Sequence, residues 1–366
     1  MYNYKRFDNE LESQKSTVPK KSCTFWIIFF TVLLSVVLSA VYVFLVAPRY
    51  SNEFEAFVQK EWTKFKSQHS KEYKTKTEEQ RRISIFKKNV EKIHKHNQAY
   101  ENGDIAYKLG INKFTDLEHS EFKMMKKIHF QRTKSPEKIV NDLPANFIEP
   151  VDITIPSSIN WREKGAVTNI KDQEDCGSCY AFAAIGALEG QYFLKTGQLV
   201  SLSEQNIVDC SFNDACDGGL AYQAFQYIKE NGGIDTEAFY PYTAEEGDCK
   251  YNPLNSSATV DGYVKIPEGD ERKLAEAIAT IGPIAVDIDA SDPTFQHYEG
   301  GIYQPKYCDT SDEYLHHAVL VIGYDQDSYL VKNSWGTTWG ENGYFRIARN
   351  KENQCGIATS AVYPIV

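Results

Sequence analysis

The stretch Lys171 to Phe182 reads KDQEDCGSCYAF and sets two thiols, Cys176 and Cys179, three residues apart. A pair at this spacing suits zinc or thiol exchange. Zinc wants more ligands, however, and the chain offers no second such pair and no histidine pair at ligand spacing; thiol exchange wants a βαβ surrounding that is missing. No metal and no cofactor is therefore expected. A nucleophilic thiol has different needs, because the thiolate is favoured at a helix N-terminus and beside a protonated imidazole. From Cys179 the run CYAFAAIGALEGQYFLKT stays largely apolar for about four turns and stops at Gly197. The pattern predicts an exposed thiol on the first turn of a helix, where aligned peptide dipoles supply about half a positive charge.

Two further strings complete the chemistry. LHHAVLVIGY places His317 138 residues after Cys179, and VKNSWGTTWG places Asn333 154 residues after it. With KDQEDCGSCYAF, these residues resemble the papain family of cysteine proteases in its cathepsin L-like branch, whose signature is a Cys-Gly-Ser/Ala-Cys-Trp/Tyr run with His and Asn well downstream. The resemblance implies that Cys179 is the nucleophile, His317 the acid and base, and Asn333 the amide that orients the imidazole. It makes Gln173 the side-chain donor of an oxyanion hole beside the Cys179 backbone N–H, and Trp335 the indole that shields the amide. Gly219, Leu220, Ala221, Asp287, Leu315, Ala318 and Ser360 fall at positions that bind substrate, and His316, on the opposite strand face, receives no role.

Seven of the eight cysteines lie between Cys176 and Cys355, which reads as three disulfides and one free thiol in an oxidising compartment. Fifteen pairings are open to six half-cystines. The resemblance selects Cys176–Cys216, Cys210–Cys249 and Cys308–Cys355, with Cys179 free. Three positions depart from the family pattern: Glu174-Asp175 where small or neutral residues are usual, Tyr180 for the commoner Trp, and Asp287 on a pocket wall that is usually apolar. Only five residues separate Cys210 from Cys216, too few for a loop that would cap the cleft, so an endopeptidase acting on proteins and peptides is expected. The pocket residues imply a preference for hydrophobic side chains two residues before the scissile bond, and Asp287 adds a partner for basic ones.

These groups need elements to hold them. Helical segments are expected near Cys179, near Ser203 (with Ser201 and Glu204 at capping-box spacing) and near Gly219. Strands are expected in IAVDIDA, HAVLVIGY, SYLVKNSW and GYFRIA. The fold class is thus α+β, a papain-like pair of a helical and a β-barrel-like subdomain, with a helical prodomain in front. In that prodomain Phe54, Phe57, Val58, Trp62 and Phe65, then Ile85, Phe86, Val90 and Ile93, recur at helical steps. Glu78, Arg82, Ile85, Phe86, Asn89, Ile93 and Asn97, followed by Gly110, Asn112, Phe114 and Asp116, resemble the family's inhibitory propeptide, which would make this arm the enzyme's own inhibitor. The basic stretch Lys123 to Lys138 reads as exposed and open to proteolysis, and IPSSINWREKG resembles a mature N-terminus.

The formal charge of −10 excludes a nucleic-acid binder. It splits into +7 over residues 1–154 and −17 over 155–366, so arm and body attract, and acid should loosen them. Thr24 to Val46 is an uncharged run of 23 residues preceded by Lys5, Arg6, Lys15, Lys20 and Lys21. Its length predicts an uncleaved membrane anchor rather than a signal peptide, and the flanking charge leaves the N-terminus cytoplasmic. The expected organisation is a tail (1–23), a signal anchor (24–46), an inhibitory propeptide (47–154) and a mature protease (155–366). The precursor would be a type II single-pass membrane protein and the mature enzyme a monomer in a lysosome, a vacuole or the extracellular space.

Overall fold

The computed structural model describes residues 21–41, 47–127, 144–149 and 154–366. They divide into two units, one ending at Lys64 and one running from Phe65 to Val366. In the first, helix α1 spans Lys21–Val41 and exposes its apolar side chains from Trp26 to Leu38. The expected membrane span is not recovered: among the described residues no helix is long and apolar enough to cross a membrane. Of the run Thr24 to Val46, residues 24–41 fall in α1, and residues 42–46 lie outside the described residues.

Helix α2 (Ala47–Gln68) leads into the second unit, where α3 (Lys76–Glu101) is capped by Thr75, whose hydroxyl accepts from the Glu78 N–H. Its buried face is Ile85, Phe86, Asn89, Val90 and Ile93, the apolar stripe legible in the sequence plus one amide. Asn89 Nδ2 donates to the carbonyls of Thr115 and Leu117, and Asn97 exchanges hydrogen bonds with the Leu109 backbone. These asparagines tie α3 to strand β1 (Tyr107–Leu109) and to the turn before α4 (His119–Met125). Two short strands follow, β2 (Ala145–Asn146) and β3 (Ile159–Asn160).

The helical part of the body holds α5 (Cys179–Thr196), α6 (Glu204–Cys210) and α7 (Ala221–Asn231). Gly197 closes α5 at φ +75°, a left-handed turn that favours glycine. Helix α6 corrects one expectation. Ser203 caps it, accepting from the Asn206 N–H; because Glu204 is its first helical residue, the box expected from Ser201 has no N-cap to act on. The small strands β4 (Ile234–Asp235) and β5 (Ser256–Ala258) form a pair.

The remaining elements are β6 (Gly262–Lys265), α8 (Glu271–Thr280), β7 (Ile284–Ile288), β8 (Tyr298–Tyr303), β9 (His317–Tyr324), β10 (Ser328–Lys332), β11 (Tyr344–Ala348) and β12 (Ala361–Ile365). Among the described residues the main sheet runs β1-β8-β11-β10-β9-β7-β12-β6-β2, with β3 on β9. Strand β9 is buried on both faces and divides two cores. Val319 and Val321 enter a cluster with the sheet residues Val286, Val331 and Phe345, while Ala318, Leu320 and Ile322 enter one with Ala184, Leu188 and Phe225 of α5 and α7. This period of two is the physical basis of the two subdomains. A methyl added at Gly186 would come within 2.7 Å of Leu320, so glycine there lets α5 lie close on β9.

Candidate active site

Cys179 is the first residue of α5 and His317 the first of β9, so the packing of α5 on β9 brings both to one end. Against the expectation of an exposed thiol, Cys179 is only 8% exposed. Burial pushes that thiol up to about 11, against a weaker lowering by the Ala318 backbone hydrogen bond, and burial brings the His317 imidazole down to about 4. Burial thus works against the charged form of each group, and so against the thiolate–imidazolium couple.

His317 Nε2 lies 2.9 Å from Asn333 Oδ1, which also accepts from the Ser334 N–H at 2.8 Å. A carbonyl oxygen only accepts, so Nε2 carries the proton and Nδ1 is the basic nitrogen. Among the described residues Nδ1 has no hydrogen-bond partner. The Trp335 indole stacks on the imidazole, with ring centroids 4.7 Å apart and planes at 25°, and is fully buried.

Gln173 is fully buried, and its Oε1 accepts from Ser334 Oγ at 2.7 Å and Trp335 Nε1 at 3.1 Å. These donors fix the flip of the amide, turning its NH2 toward the Cys176 carbonyl at 2.9 Å, at the turn that leads into Cys179. Ser334 was not singled out in the sequence. Nor was Tyr242, whose hydroxyl donates to the Gln173 carbonyl at 2.9 Å and lies 2.6 Å from Ser178 Oγ. Separations of 161 and 69 residues from Gln173 leave no local signal for either.

Of the residues expected to line the pocket, Asp287 stands opposite Ala318 in the β7–β9 register, and Ser360 Oγ donates to Asp287 Oδ2 at 2.8 Å. Leu315 is buried against Gly356. Ala221 shares the core cluster of Cys179 and Ala318, and Leu220 donates its N–H to Asn213 Oδ1. A Cβ on Gly219 would strike that same oxygen at 2.3 Å. Disulfides join Cys176 to Cys216, Cys210 to Cys249 and Cys308 to Cys355; the first ties the turn before Cys179 to the segment leading to Gly219.

Behind the site, Lys171 Nζ donates to Glu189 Oε1 at 3.1 Å and Glu204 Oε1 at 2.7 Å. Burial, aided by Glu189 and opposed by Lys171, pushes the Glu204 carboxyl up to about 7. A folded-state value above the unfolded one means that the folded chain holds this proton more tightly. The contribution is complete below about pH 4.5 and is lost as pH rises through the raised folded value. Melting temperatures between pH 4.5 and 7.5 should fall with pH, and Glu204→Gln should flatten that slope. An unchanged slope would assign the titration elsewhere.

A buried cysteine at the start of a helix, an imidazole held by an amide, and a two-core body divided at the site define a cysteine protease. Comparison with known proteins agrees. Residues 155–365 match the family model described as papain family cysteine protease, and residues 62–122 match the cathepsin propeptide inhibitor domain. A cathepsin L-like peptidase of Aedes aegypti is 51% identical over 320 residues, 84% of this chain and 94% of the relative. Procathepsin L of Mus musculus is 45% identical over 333 residues, 88% and 95% of the two chains. Among solved structures, digestive procathepsin L 3 of Tenebrio molitor superposes with a TM-score of 0.78 at 41% identity, covering 84% of this chain and 99% of that one. The chain belongs to the papain family of cysteine proteases and is a cathepsin L-like peptidase made as a proenzyme with its propeptide.

Proposed function

We propose that the enzyme is an endopeptidase working through a Cys179 thioester, with His317, Asn333 and Gln173 in the roles that the family resemblance assigns. The observation that carries this is the hydrogen-bonded set of His317, Asn333, Trp335 and Gln173 around the first turn of α5. Once the propeptide leaves, water returns, and Cys179 transfers its proton to His317 Nδ1. The thiolate attacks the peptide carbonyl, whose oxyanion is met by the Cys179 N–H and the Gln173 amide. His317 then gives the proton to the departing amine, leaving an acyl-enzyme thioester. Water, deprotonated by the same imidazole, hydrolyses the thioester and restores the thiol. Replacing Cys179 is the test, argued in the Discussion.

Asp287 is the proposed reader of a basic side chain two residues before the scissile bond, in a pocket otherwise made of small and apolar groups. Its hydrogen bond from Ser360 supports a carboxylate held in place on the wall. A partly buried ionic contact of this kind contributes on the order of 1 to 3 kcal/mol, so Asp287→Ala should lower the Arg-to-Leu preference at that position by about 5- to 150-fold. Paired peptides at fixed ionic strength measure it, and an unchanged ratio removes Asp287 from recognition. The uncharged 23-residue run and its preceding lysines support an N-terminal anchor with the body on the luminal side. Protease added to intact vesicles should then clip an N-terminal tag and spare the body, whereas a protected tag would reverse the orientation.

A further inference from the structure

The basic segment after α4 reads as exposed in the sequence, yet Lys126 is 1% exposed, while the next described residue, Lys127, is half-buried. Removing an ammonium from water costs several kcal/mol unless something receives it. What receives it is the body loop that starts at Asp172. Lys126 Nζ donates to the Glu174 carbonyl oxygen, and the Asp172, Asp175 and Glu174 carboxylates draw its charge, against the repulsion of Lys113. The Phe114 ring lies 5.2 Å from the ammonium.

The loop is shaped for this. Glu174 sits at φ +49°, and Asp172 Oδ1 accepts the Glu174 N–H at 3.0 Å, while the Asp172 backbone is bridged to Trp335. Two more propeptide lysines neutralise its surroundings, Lys113 on Asp172 and Lys127 on Asp217 at 2.9 Å. The rings of Phe114 and Phe122 meet Trp335 edge-on at 5.8 and 5.3 Å. All five of these side chains depart with the propeptide. They leave Asp172, Glu174 and Asp175 without those lysines, beside an uncovered indole.

The side of the cleft follows from the proton path. His317 stacks on Trp335, and Lys126 is near enough to act on the imidazole electrostatically. The imidazole hands its proton to the departing amine, so the peptide beyond the scissile bond must pass this face. We propose that the Asp172–Cys176 loop and Trp335 form a subsite for a lysine or arginine side chain on the leaving-group side of the scissile bond, which Lys126 fills in the proenzyme. The acidic pair Glu174-Asp175, a departure from the family pattern, gives this chain the charge for it. The proposal rests on the peptidase reading above.

The test uses mature enzyme and peptides that differ only in the first two positions after the scissile bond, each carrying Lys, Met or Glu in turn. The expected result is kcat/KM for Lys over Met of about fivefold or more at one of the two positions, with Glu poorest. That ratio should fall to within about twofold in Asp172→Asn and in Asp175→Asn; because a ratio is read, a general loss of activity cancels. If no Met peptide is cut by the wild type, the peptidase reading itself fails. If Met peptides are cut with no Lys preference, or if the preference survives both substitutions, the subsite is wrong.

Discussion

Cys179→Ala should lose peptidase activity by roughly a million-fold, the scale seen when the nucleophile of a catalytic group that works as a unit is removed. Its melting temperature should stay within a few degrees of wild type. The two halves of this expectation have separate causes. Activity disappears because His317, held by Asn333 through Nε2, has no thiol proton to accept, and the six other cysteines of the body are all joined in disulfides. Stability persists because the substitution removes one atom from a helix start whose neighbours, Ser178 and Tyr180, keep their own hydrogen bonds to Tyr242 and the Ala215 carbonyl. Peptide turnover after removal of the propeptide by an added protease, with a thermal melt beside it, checks both. Turnover above about one percent of wild type would remove Cys179 from the chemistry, while a collapsed melt would make the loss uninformative and call for Cys179→Ser.

The second large effect concerns the cover. Phe122 is fully buried, 5.1 Å from Phe114 and 5.3 Å from Trp335, so it links the propeptide's own core to the indole stacked on His317. Truncating a buried phenylalanine typically costs 3 to 5 kcal/mol, and here that cost falls on the docked state of the propeptide. In full-length Phe122→Ala, modification of Cys179 by a thiol-directed epoxide should be about 100-fold faster than in wild type. Acid and salt should accelerate wild-type labelling in the same direction, because both weaken the Lys113–Asp172 and Lys127–Asp217 pairs. A labelling rate indifferent to the truncation, with the protein still folded, would mean that the aromatic contact does not hold the cover down.

How much of this was legible before the structure depends on whether the signal was local. Helix α5 could be read from an apolar run that ends on a glycine, and β7, β9, β10 and β11 from short β-branched segments, because each carries its own period. The stripe of α3 was visible for the same reason. Strand β1 was not. Its three residues, YKL, have no pattern of their own and become a strand only by pairing Tyr107, Lys108 and Leu109 with the edge of β8. Lys126 was misjudged by the same limit, since composition says that lysines face water and only a carbonyl and three carboxylates supplied by the body make burial tolerable. The support of Gln173 by Ser334 and Tyr242 is likewise a product of tertiary assembly.

Strand β1 bears on how the enzyme is switched on. Because the propeptide is woven into the sheet at Tyr107–Leu109 and buried at Phe114 and Phe122, a cut in the chain after Lys127 severs the connection without dislodging the inhibitor. Covalent processing and relief of inhibition are then separate events. After the cut, the fragment is a ligand whose occupancy depends on concentration: at a given affinity it stays bound where the protein is crowded and departs on dilution. A vesicle packed with nicked molecules would hold them silent, and discharge into a larger volume would release activity with no further bond broken.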